Sequence, residues 1–70
     1  METLTFKTNI NCNNCVAKVS PFLNQEDAID NWKVDIQNPD KILTVEGDGL
    51  VAKEVIQAVE KAGFKAEVSQ

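Results

Sequence analysis

The sequence has no histidine, no arginine and only two cysteines. Without histidine there is no Ser-His-Asp set, and the chain offers neither a Gly-rich phosphate loop nor paired carboxylates beside a cleft. It does not read as an enzyme. Seven lysines stand against eleven acidic residues, a formal charge of −4. That balance, without arginine, argues against a nucleic-acid binder, which asks for a basic patch. No apolar run approaches the roughly 20 residues that span a bilayer, so membrane insertion is not expected. The polar start Met1–Lys7 is unlike a signal peptide. Sparse cysteine without an export signal points to the cytoplasm, where thiols stay reduced.

What is present suits one small globular domain over residues 1–70, with 43% apolar and 26% charged residues. That size is near the lower end of what folds without staples. A bridge between Cys12 and Cys15 would close too short a loop to supply much stabilisation. The cysteines are expected to do metal or redox work instead.

Leu4 and Phe6 alternate with polar neighbours over Thr3–Thr8, the period-two pattern of a half-buried strand. Val16, Val19 and Leu23 then fall at helical spacing, predicting a helix over Asn14–Asn24. Pro21 is expected to kink it or end it early. Trp32, Val34 and Ile36 share one face of a strand over Ile29–Ile36, with Trp32 a core or sheet-face residue. The Asn38–Asp40 turn leads to a return strand over Lys41–Glu46, with Leu43 and Val45 inward. Gly47–Gly49 breaks that strand. A second helix over Val51–Ala62 carries the stripe Val51, Val55, Ala58, Val59 and Ala62, followed by Gly63 at the helix end. Phe64, Ala66 and Val68 alternate in a last strand.

The order βαββαβ, with strands polar on one face, predicts an α+β, ferredoxin-like sandwich. It has a four-stranded antiparallel sheet with both helices on one face. In that arrangement the start of helix one, the Asn38–Asp40 turn and the Lys61–Phe64 loop share one edge. Glu26–Asp27 and Glu46–Asp48 fall at the opposite edge.

Cys12 lies in the loop before helix one and Cys15 in its first turn, with Asn13 or Asn14 the expected N-cap. Helix-start N–H groups and the helix dipole favour thiolates there. Ile10, the one apolar residue of the loop, is expected to plug into the core. Free cysteine often serves as a small core residue, but a Cys-x-x-Cys pair at a strand-to-helix loop matches that role poorly. Structural zinc wants four Cys or His ligands, and the chain has two. A thiol–disulfide couple shares the spacing. A soft ion satisfied by few sulfurs, Cu(I), fits better, since Asn9, Asn11, Asn13 and Asn14 bring no carboxylate.

The stretch Ile10–Cys15, the helix after it and the C-terminal Ala58–Val68 resemble the heavy-metal-associated domain family. That family includes small copper chaperones of the CopZ and Atx1 types and the N-terminal modules of metal-transporting P-type ATPases. The resemblance covers essentially the whole chain and implies the same βαββαβ fold. It implies that Cys12 and Cys15 are the metal ligands, that Ile10 takes the place of the family's usual methionine, and that Phe64 faces the metal loop. The usual Gly-Met-Thr before the first cysteine reads Asn9-Ile10-Asn11 here.

The leading expectation is therefore a cytoplasmic metallochaperone or metal buffer. Cu(I) is the favoured ion, with Zn(II) or Cd(II) as alternatives. The ion would pass to a metal-transporting P-type ATPase or another Cys-x-x-Cys acceptor, from a monomer or a metal-bridged dimer. Lys18, Lys61 and Lys65 would surround the site and offset its negative charge. The alternatives are a redox protein and a metal-free interaction module on the same fold.

Overall fold

The computed structural model describes residues 2–69. Met1 and Gln70, the two ends of the expected 1–70 domain, lie outside the described residues. The elements run β1 (Glu2–Thr8), α1 (Asn13–Asn24), β2 (Ile29–Asp35), β3 (Ile42–Gly47), α2 (Ala52–Lys61) and β4 (Ala66–Val68). The strands form one antiparallel sheet in the order β2-β3-β1-β4. This is the ferredoxin-like arrangement expected from the strand and helix periodicities.

Register places the apolar residues in rows across the sheet. Val45 stands beside both Leu4 and Trp32, and Leu43 beside both Phe6 and Val34. Those rows meet the buried Val19 and Leu23 of α1 and the buried Val55, Ala58 and Val59 of α2. Trp32 packs partly against this core, and its indole N–H donates to the Asn24 side chain at 3.0 Å. Ile10 is 0% exposed, so the loop before α1 is plugged into the core as expected. Burying a side chain of that size contributes about 1.5–3 kcal/mol.

Element ends depart from expectation where side chains or special backbone take over. Helix α1 does not end at Pro21 but continues to Asn24. Pro21 and Ala17 are both exposed, so water can reach the Ala17 carbonyl that loses its partner. Strand β2 stops before Ile36, because the Asp35 carboxylate accepts from the Gln37 and Asn38 N–H groups at 3.2 and 3.3 Å.

Helix α2 closes with the Gly63 N–H on the Glu60 carbonyl (2.9 Å) and the Phe64 N–H on the Val59 carbonyl (3.2 Å). This is a Schellman motif, with Gly63 at φ 94° supplying the left-handed residue. It holds Phe64 out of β4, which is shorter than the expected Phe64–Val68. Val51 and Val68, both expected on the buried face, are 48% and 46% exposed. Val51 precedes the first turn of α2, and Val68 sits at the far end of an outermost strand. At the end of β3, a Cβ on Gly47 would collide with the Ala28 carbonyl oxygen, so only glycine lets these two segments approach.

Candidate metal centre

The loop between β1 and α1 is tied down on both sides. On one side the Thr8 N–H donates to the Asp40 carbonyl at 3.2 Å, and the Thr8 hydroxyl to the Lys41 carbonyl at 2.6 Å. On the other, the Asn9 side-chain oxygen accepts from the Lys65 N–H at 2.8 Å, and the Asn9 N–H donates to the Lys65 carbonyl at 3.4 Å. The turn at residues 38–40 and the loop after α2 therefore do meet the Cys-x-x-Cys loop. Below it sits Ile10, whose N–H donates to the Thr8 hydroxyl at 3.2 Å.

Neither Asn13 nor Asn14 caps α1. The N-cap is Cys12, in extended backbone, with its sulfur accepting the Cys15 N–H at 3.3 Å. Cys15 is then the third residue of the helix, so the motif occupies the two positions of a capping box with sulfur in place of oxygen. This local geometry brings the two sulfurs together, 2.8 Å apart. Cys12 is exposed and Cys15 half-buried, and both are free thiols.

The pair is electrostatically unequal. Cys12 ionises below its ordinary value, first because the Cys15 side chain hydrogen-bonds to it and then because the Cys15 backbone N–H does. Lys18 adds a smaller attraction in the same direction. Cys15 ionises above its ordinary value, because it shares that hydrogen bond as donor and because burial penalises its charged form. The pair therefore favours Cys12 over Cys15 as the first sulfur to ionise. The Cys15 sulfur also lies 3.7 Å from the Asn11 side-chain oxygen.

Of the lysines singled out in the sequence, Lys18 is the one that lowers Cys12. Lys65 joins the loop through its backbone, and Lys61 lines a groove with Phe22 and Gln57. Phe64 packs partly against the core. Sequence reasoning missed Thr8 and Asn9 as the residues that pin the loop. Their signal was present: Thr and Asn at a strand end readily bond to backbone.

Among the described residues no three His, Cys, Asp or Glu side chains gather as a metal site. The Cys12–Cys15 pair is thus a two-sulfur centre on an exposed loop. Also among the described residues, no helix is long and apolar enough to cross a membrane.

Residues 5–65 match the heavy-metal-associated domain, and the chain belongs to that family. No curated protein matches the chain. Among solved structures it is similar to the CopZ metallochaperone, at 19% identity and a TM-score of 0.82, covering 94% of this chain and all (100%) of that one. It is similar to the N-terminal domain of ZntA in the Zn(II) form, at 23% identity and a TM-score of 0.81, covering 97% and 92% of the two chains. It is also similar to the Cu(I)-loaded first domain of the human copper chaperone for SOD1, CCS. There the identity is 25% and the TM-score 0.79, over 96% and 90% of the two chains.

Proposed function

We propose that this chain binds one Cu(I) ion through the thiolates of Cys12 and Cys15 and passes it to a partner by ligand exchange. It acts in the cytoplasm as a carrier or buffer and not as an enzyme. The observation that carries this reading is the two-sulfur centre itself: two free cysteines at the exposed start of α1, with no third Cys, His, Asp or Glu gathered beside them among the described residues. Soft Cu(I) is satisfied by few sulfur ligands, whereas Zn(II) usually takes four ligands. Similar structures of both kinds exist, since the CCS domain has a Cu(I)-loaded form and the ZntA domain a Zn(II) form.

Anaerobic competition against a chromophoric chelator tests the ion. About one Cu(I) per chain is expected, with Zn(II) held far more weakly by the monomer. Comparable Zn(II) occupancy in a monomeric sample would overturn the copper reading.

Transfer follows from exposure. An incoming thiolate adds to Cu(I) and makes it three-coordinate, and the Cys15–Cu(I) bond then breaks. The ion is left between Cys12, the more exposed sulfur, and the partner. No electron changes hands. The acceptor is a metal-transporting P-type ATPase or another Cys-x-x-Cys protein, steered by the exposed Lys61 and Lys65. Transfer no faster than spontaneous release, or a mixed complex bridged through Cys15, would refute this order. Slowing at higher salt is expected of the lysine contribution.

The close, unequal sulfurs also suit a thiol–disulfide couple. Catalytic turnover of a disulfide substrate, without stoichiometric Cu(I) uptake, would favour that second reading.

A further inference from the structure

The end of the molecule opposite the cysteines carries a groove of about 310 Å³ between the segment after α1 and the start of α2. Its apolar lining comes from Ile29, Leu50 and Val55, and its carboxylates from Glu26, Asp27 and Glu54. Val51, also in the lining, is 48% exposed. No lysine lines the groove. We infer that it docks a segment of a partner protein that places an apolar side chain between lysines or arginines.

Two features select that occupant. The volume is at the lower end of the range for pockets that enclose compact ligands. It accepts one or two aliphatic side chains and not a helix face. Among the described residues three carboxylates and no cation line this groove, and Lys61, in the adjoining groove with Glu26 and Glu54, is a single cation against the three; the net negative field complements a basic segment and not an acidic one. A purely ionic contact would be weak and screened; the apolar floor is what makes the surface selective. Helix α1, 12 residues long, runs from the cysteine loop to this end, a separation of about 18 Å at 1.5 Å per residue. A partner seated here leaves both sulfurs open, so the contact does not depend on the metal reading.

The test uses the full chain, labelled with nitrogen-15, and the peptide acetyl-Lys-Leu-Lys-Val-Arg-amide as probe. Amide shifts are expected at Ile29, Leu50, Val51 and Glu54, with those of Cys12 to Val16 unmoved. Asp27→Lys together with Glu54→Lys, both at exposed positions, should weaken binding at least tenfold. A peptide with serine in place of its leucine and valine should weaken as much. Val51→Ser, which places a hydroxyl where a helix cap is wanted, should weaken binding several-fold in a folded protein. Equal affinity after charge reversal, equal affinity for the serine peptide, or no shifts at millimolar peptide would overturn the proposal. So would dimerisation through the same amides without peptide, which would assign the groove to a second copy. Cu(I) uptake per chain, measured on the same charge-reversed protein, should be unchanged, so failure here and failure of the copper reading are separable.

Discussion

The two helices begin in opposite ways. Helix α1 starts at Cys12, in extended backbone at φ −155°, ψ 166°, and the cysteine sulfur accepts an N–H of the first turn. Helix α2 starts at Val51, in comparable backbone at φ −120°, ψ 118°, and no side chain caps it. The first turn of α2 carries Glu54, a suitable anion for the positive end of the helix dipole. The first turn of α1 carries no acidic residue, and its cap is Cys12, whose ionisation is favoured over that of an ordinary thiol. Anchoring differs too. Leu50 and Val55 occupy the positions of a hydrophobic staple at α2, while α1 relies on Ile10, two residues before its cap. Both helix starts need an acceptor and an anion. At α1 the acceptor is a soft sulfur, a poor structural choice and a good metal ligand.

Serine at Cys12 breaks that comparison most sharply. Its hydroxyl is among the best caps, so Cys12→Ser should keep or raise stability in a thermal melt. The same change removes a soft ligand, and Cu(I) affinity should fall by orders of magnitude, each tenfold being about 1.4 kcal/mol. Cys15→Ser should lose comparable affinity. Chelator competition on both variants is the measurement, and unchanged affinity in either would remove that cysteine from the site.

Next in size is the anchor. Ile10→Ala empties a fully buried position and should cost about 2–5 kcal/mol in urea unfolding. A cost well under that would mean the loop is held mainly by the Thr8 and Asn9 hydrogen bonds.

These residues also mark what could be read in advance. Ile10 was legible because one apolar residue in a polar loop has few other uses. The strands were legible because Leu4 and Phe6, or Leu43 and Val45, alternate without ambiguity. The ties from Thr8 to Lys41 and from Asn9 to Lys65 span 33 and 56 residues: Thr and Asn at a strand end announce a bond to backbone, but nothing local names so distant a partner. Cys12 was passed over as a cap because asparagines beside it rank higher in propensity, and propensity ignores a sulfur poised by backbone. Val51 misled because it continues the apolar stripe of α2 while lying just before the helix starts.

That last residue offers the next test. Val51→Ser supplies the missing acceptor at α2 and, with Glu54 three residues on, completes a capping box. A gain of about 1 kcal/mol is expected, which for a domain of this size is a rise of about 4–8 °C in Tm. No gain, or a loss, would mean that Val51 contributes as much by packing at its half-exposed site as a cap would return.

The smallest effect concerns the two thiols of one capping box. Thiolate is the form that alkylates, and Cys12 is lowered while Cys15 is raised. As pH rises from the acid side, iodoacetamide should therefore modify Cys12 first, with Cys15 following only at higher pH. Mass spectrometry of the two labelled positions reads the order directly. The leading cause on Cys12 is the hydrogen bond from the Cys15 side chain. Cys15→Ala removes that donor but keeps the backbone N–H at the same position. The Cys12 rate profile should accordingly move up in pH without reaching that of an ordinary free thiol. Identical profiles for both cysteines in the parent chain would show that the sulfurs do not share a proton. A Cys12 profile unmoved by Cys15→Ala would place its activation in the backbone of α1 alone.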